Sequence, residues 1–158
     1  MNDELLQDLQ AAPDRLAAEL EEMPESELVK RPEDGGWNLK EIAGHLRDLE
    51  RVVALERLPR ILQEDEPFLP RFDEEKAVRT SNAATAAIGE SLAEWNNLRQ
   101  QTVSLLRGLD ADALARTGRH EERGPITPVD IANSLLSHDE QHYQQALQLK
   151  GMSREPSS

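Results

Sequence analysis

The chain has no cysteine among its 158 residues. Disulfides and thiolate ligands are therefore excluded, and any metal site must use nitrogen and oxygen. Aromatic residues make up only 3% of the sequence, and runs of β-branched residues are nearly absent, so little favours strands. Positive charge is also short: 18 Lys and Arg face 31 Asp and Glu, for a net charge of −13. A phosphate surface needs a basic footprint, so neither nucleic acid nor an anionic membrane is expected as a partner. No apolar run approaches a membrane span, and the N-terminus carries no signal-peptide pattern. The expected location is the cytoplasm.

What the chain does have is helix formers. Leu, Ala, Glu, Gln and Arg dominate, and the length suits one domain with one core. Residues 1–152 are expected to form that domain, with 153–158 as a disordered tail. The first helix is expected over 3–22, with Leu5, Leu6, Leu9, Leu16 and Leu20 on one side, and Pro13 is expected to kink or split it. A second helix starts at Asn38, whose side chain and Glu41 make a capping box with Trp37 and Ile42 as staple. It should run to about Leu62, bent by Pro59. An acidic connection is expected over 63–76 and a third helix over 81–109. Short helical turns are expected near 25–30 and 110–116, and a charged loop over 117–125. The fourth helix starts at the Thr127 N-cap, with Pro128 at N1 and Asp130 at N3, and is expected to stop before Gly151. Four long helices with a long middle connection point to an all-α four-helix bundle.

The chemistry sits in the histidines. The stripe Ile131, Leu135, His138, His142, Gln145, Leu149 alternates steps of four and three, the period of one buried helix face. Residues at i and i+4 project from the same side, roughly 6 Å apart. His45 lies on a second such stripe with Ile42, Leu46, Leu49, Val52 and Val53. Unpaired imidazoles are costly to bury. Hydrogen-bonded core histidines are one solution. A divalent metal is the other, and it satisfies His45, His138 and His142 at once. Three nitrogen ligands would leave a tetrahedral metal with an open position, the catalytic arrangement for zinc, although nickel, copper or iron would accept the same ligands. A zinc-protease helix is not expected, because Asp139 stands where His-Glu-x-x-His requires Glu.

Other residues have blander expectations. His120 reads first as an exposed loop residue, with a fourth ligand or a lining residue near the metal as alternatives. Asp48 reads as a solvated helix-face residue, with a base or hydrogen-bonding partner near the metal as the alternative. Asp139 and Glu140 read as surface charges. Trp37 reads as a staple rather than a substrate platform.

Gly36-Trp-Asn-Leu-Lys-Glu-Ile-Ala-Gly-His45-Leu, Gly124-Pro-Ile-Thr-Pro-Val-Asp and the His138-Asp-Glu-Gln-His142 helix together resemble the DinB/YfiT-like superfamily. The resemblance covers about Leu5 to Lys150. It implies an up-down-down-up four-helix bundle and a three-histidine metal site at His45, His138 and His142. It also implies a metal-dependent hydrolase, or a transferase using an external low-molecular-weight bacterial thiol. On this reading the cofactor is zinc or nickel, the substrate a small molecule, and the protein a monomer or homodimer. The alternative is a non-catalytic metal-binding or stress-response module. The sequence names neither a general base nor a substrate.

Overall fold

The computed structural model describes residues 1–152, so the expected tail at 153–158 lies outside the described residues. In chain order the elements are α1 (Asp3–Leu20), α2 (Glu25–Leu28), α3 (Leu39–Val52), a π-helical turn (Val53–Arg57), α4 (Leu58–Gln63), β1 (Phe68–Leu69), α5 (Glu74–Thr80), α6 (Ile88–Arg107), α7 (Ala111–Leu114), β2 (Gly118–His120), β3 (Gly124–Ile126) and α8 (Pro128–Met152). No helix is long and apolar enough to cross a membrane, among the described residues.

Both helix starts that matter for the histidines form as their sequences dictate. Asn38 Oδ1 accepts from the Glu41 backbone N–H at 2.9 Å, and Glu41 Oε1 accepts from the Asn38 N–H at 3.2 Å. Thr127 Oγ1 accepts from the Asp130 N–H at 3.1 Å, and Asp130 Oδ2 accepts from the Thr127 N–H at 2.9 Å. Each box satisfies two otherwise orphaned donors and fixes where its helix begins.

Four long segments make the frame: α1, α3 continued through α4, α6, and α8. The first packs on α6 and α8, and α3 packs on the same two. Contacts along their lengths give the directions. Arg15 pairs with Glu140 and Glu19 with Lys150, so α1 and α8 run parallel. Arg47 reaches Ser91 and Glu50 reaches Arg99 and Thr102, so α3 and α6 run parallel. Leu9 groups with Val103 while Leu16 groups with Trp95, so α1 and α6 are antiparallel. The arrangement is the up-down-down-up four-helix bundle. Parallel neighbours α3 and α6 need a long return connection, and residues 64–87 supply it.

The apolar interior is divided. One cluster holds Leu6, Leu9, Val53, Val103 and Leu135; the other holds Leu16, Leu46, Trp95, Ala146 and Leu149. Polar side chains fall between them on α3, α6 and α8: Glu50, Arg99, Asp139 and the histidines His45, His138 and His142. Arg99 is fully buried. It donates to Asp139 at 2.7 and 3.0 Å, to Glu50 at 2.7 Å and to the Leu9 carbonyl at 2.8 Å. That carbonyl is free because Pro13, four residues on, has no N–H to offer it. The proline therefore leaves α1 unsplit, and the guanidinium occupies the acceptor that the proline releases.

Several expectations are corrected. The acidic connection contains β1 and the start of α5, and the third helix begins at Ile88 rather than Ser81. The loop over 117–125 is a hairpin, β2 paired antiparallel with β3, and β1 lies parallel to β2 with Leu69 opposite His120. So short a sheet has no periodic signature in sequence. The helix expected to stop before Gly151 extends to Met152. Pro59 does not bend a plain α-helix. It follows the π-helical turn, in which Leu58 N–H bonds the Val53 carbonyl. The wider turn accommodates the proline ring, which would otherwise press on the carbonyl four residues back.

Two charge assignments also change. Asp139 is 5% exposed and held by Arg99, whereas Glu140 is on the surface as expected. Asp48 is 6% exposed and accepts from Arg47 Nε at 3.0 Å, so it is not a solvated face residue. The cause is tertiary: Arg99 comes from α6, and Arg47, which holds Asp48, reaches Ser91 at the start of α6. Residue 83 also approaches α3 closely. A Cβ on Gly44 would stand 2.5 Å from Ala83 Cα, so glycine is what allows this approach.

Candidate metal centre

His45 projects from the middle of α3, and His138 and His142 project from one face of α8. Their Nε2 atoms converge: His45 to His138 is 3.1 Å, and His142 to His138 is 3.1 Å. Ligand atoms of all three lie within 4.8 Å of one another. His45 and His142 are buried, and His138 is partly exposed. The structure therefore brings together all three histidines expected from the sequence.

Direct hydrogen bonding serves this triangle poorly. His138 Nε2 offers a single proton or a single lone pair, which two imidazoles would have to share. A cation among the three nitrogens gives each ring a full partner, so the residues fit a metal. His142 is already prepared for it. Its Nδ1 lies 2.7 Å from Gln145 Oε1, and with the amide oxygen facing the ring Nδ1 carries the proton. The Nε2 lone pair is then free. His45 and His138 have no such partner at Nδ1 among the described residues.

The electrostatics agree. Burial pushes His45 down to about 3, with His138 and His142 adding to the effect. Burial, then His138, also lowers His142. Both rings are neutral at pH 7, the form that binds a metal.

The sequence missed a carboxylate. Glu74, at the start of α5, has Oε1 3.6 Å from His138 Nε2 and 3.9 Å from His45 Nε2. His138, followed by the other imidazoles and opposed by burial, holds it below the usual carboxylate range. It lies 29 residues beyond His45 in a segment without helix periodicity, and no spacing rule connects the two. The Arg99 network had a visible trace. Arg99 and Thr102 continue the core period between Trp95 and Val103, and Glu50 does so between Leu46 and Val53.

Aromatic rings wall the site. Trp37 lies 4.7 Å from His45 and stacks on His142 at 6.0 Å between centroids, while Phe72 lies 6.3 Å from His45. The indole packs against the cluster containing Ile42, as a staple should, and it also covers the histidines. His120 is neither exposed nor part of the triangle. It is 7% exposed and lines a cavity of about 220 Å³ that His138 and Glu74 also border.

The DinB superfamily profile matches residues 8–146. A protein of Oceanobacillus iheyensis bearing the name "Putative metal-dependent hydrolase" is 24% identical over 140 residues, covering 88% of this chain and 79% of its own. YfiT of Bacillus subtilis (strain 168), with the same designation, is 27% identical over 141 residues, covering 89% and 79%. A solved structure of B. subtilis YfiT, described as "a probable metal-dependent hydrolase with an unusual four-helix bundle topology", superposes with a TM-score of 0.88 at 26% identity, covering 96% of this chain and 86% of that one.

Proposed function

This chain belongs to the DinB superfamily, and from that premise we propose that it is a metal-dependent hydrolase of small molecules, with zinc or nickel held by His45, His138 and His142. The observation that carries the reading is the convergence of three Nε2 atoms, two of which would otherwise share the single proton or lone pair of His138. The designation of its relatives as metal-dependent hydrolases supports the same class. Residues 1–152 act as one domain on this reading.

A divalent metal supplies Lewis-acid activation of water at neutral pH. The chain's own groups do the rest. His142 is oriented by Gln145, and Trp37 and Phe72 limit solvent around the histidines. Glu74 is the nearest carboxylate to the triangle and is ionised at pH 7, so it is the group placed to take a proton from a nucleophile. Asp48 is not, because it is committed to Arg47. The same site could instead hold a thiol co-substrate, which would have to come from outside a chain without cysteine.

Metal content by mass spectrometry on untagged protein, beside His142→Ala, tests the reading. About one metal per chain, lost in the variant, is expected, followed by turnover in a screen of short esters and amides. Loss of hydrolysis in Glu74→Gln with metal content retained would assign the proton acceptor. A metal-loaded protein that is strongly stabilised yet inert in both hydrolase and thiol-transfer screens would favour the non-catalytic module. No metal after loading with zinc or nickel would overturn the reading.

A further inference from the structure

The cavity beside His138 has a chemical character unlike the rest of the molecule. Part of its lining is apolar, with Leu49, Val53 and Leu135 contributed by α3, the π-helical turn and α8. The same lining carries Arg57, Arg71 and Arg123 in a chain whose net charge is −13. Arg71 is paired with Glu122 at 3.3 Å. Arg57 and Arg123 have no ion-pair partner among the described residues. Arg57 is half-buried, and its one hydrogen bond goes from Nη2 to the Pro70 carbonyl at 3.2 Å. Two unpaired guanidiniums in one lining repel each other, and partial burial adds to the cost. Burial, and then the Arg123 charge, lowers the Arg57 pKa. In a protein with an excess of carboxylates, neither cation is held in an ion pair among the described residues, and only the Glu56 charge works against these effects at Arg57.

His120 belongs to the same lining. Its Nδ1 accepts from the backbone N–H groups of Glu122 and Arg123, each at 3.2 Å. Two donors to Nδ1 leave the ring proton on Nε2, which is then free to donate into the cavity that the ring lines. The β2–β3 hairpin therefore contributes one cation and one neutral donor, and the π-helical turn contributes the second cation.

We propose that this cavity binds a small carboxylate monoanion with a short apolar body, its carboxylate held by Arg57, Arg123 and His120 and its other end directed at the three histidines. Guanidinium forks match carboxylates in geometry and charge. A dianion such as phosphate is disfavoured, because Glu122 and Glu74 also border the cavity. The small volume restricts the ligand to a few carbons. On the hydrolase reading, the substrate is a short ester or amide that carries a free carboxylate at the end away from the scissile bond. The inference depends on that reading for the fate of the substrate, and on the cavity alone for its recognition.

Calorimetric titration with hexanoate, hexanamide and inorganic phosphate tests it, first on chelator-treated protein and then after zinc loading. Hexanoate is expected to bind both forms, at least about tenfold more tightly than hexanamide, since a charge-assisted hydrogen bond typically contributes that much. Arg57→Gln with Arg123→Gln is expected to abolish the preference. Arg123→Gln alone, on an exposed hairpin turn, is expected to reduce it without loss of fold by circular dichroism. Equal binding of hexanoate and hexanamide, no binding of either, or phosphate binding as tightly as hexanoate would overturn the proposal. So would hexanoate binding that requires zinc and survives the double variant, because the carboxylate would then be on the metal. If the protein takes up no metal yet keeps the hexanoate preference, the hydrolase reading fails and the anion site stands.

Discussion

Replacing Arg99 with Met tests the polar layer between the two apolar clusters. The side chain is fully buried and makes four hydrogen bonds, two to Asp139, one to Glu50 and one to the Leu9 carbonyl. Methionine matches its length but leaves two carboxylates facing each other without a cation. Removing one partner of a buried ion pair costs about 3–5 kcal/mol. For a chain of this size each kcal/mol lowers Tm by about 2–4 °C, so a fall of roughly 6–20 °C is expected at pH 7. The loss must also depend on pH. Burial already raises the Asp139 pKa against the opposing pull of Arg99. Without Arg99, that opposing pull is gone and the folded-state pKa of Asp139 lies further above its unfolded one. The folded state then binds more protons, so the variant regains stability as pH falls and loses it as pH rises. Urea denaturation at pH 5 and pH 8, beside the parent chain, reads this directly. Adding Glu50→Leu and Asp139→Leu to Arg99→Met is expected to recover most of the loss, because an apolar layer carries no unpaired charge. A loss below about 1 kcal/mol at pH 7, or one of equal size at both pH values, would refute the reasoning.

Three single contacts give further tests. Gly44→Ala is expected to destabilise by about 1–3 kcal/mol in urea melts although alanine is the better helix former, because its Cβ would meet Ala83 at 2.5 Å; a gain in stability would contradict the close approach. Metal-free protein is expected to lose stability as pH falls below 6.5, because His45 keeps a folded pKa of about 3 while the unfolded chain takes up the proton. The loss from this residue reaches about 2 kcal/mol by pH 5 at 1.4 kcal/mol per unit, and His45→Gln is expected to flatten the profile. Pro13→Ala is expected to gain far less than the roughly 3 kcal/mol typical of removing a proline from a helix interior, because the restored N–H competes with Arg99 for the Leu9 carbonyl; hydrogen exchange of the amide introduced by that substitution, together with thermal melts, would show it.

The sequence by itself determined the helices that carry the histidines and where they start. Capping boxes at Asn38 and Thr127 are local chemistry, readable over four residues, and the steps of three and four fix which side chains share a face. That is why the core-facing stripes of His45, His138 and His142 are readable in the chain itself, and why the bundle class was legible. Only the tertiary structure decided what the remaining polar residues do. Asp139 looked like a surface charge because α8 amphipathicity places it off the stripe, and it is Arg99 from α6 that buries it. Asp48 is held by Arg47, which is anchored on Ser91 of α6, and His120 is carried into a cavity wall by a hairpin too short to have a period. Arg57, from the π-helical turn, and Glu74, from within the connection 64–87, both reach the histidines' surroundings. Such residues are joined by long chain separation and the closing of loops, which leave no spacing to read. Local hydrogen bonding and periodicity wrote the three-histidine centre into the sequence; the packing of α5, α6 and the hairpin around α3 and α8 decided its neighbours.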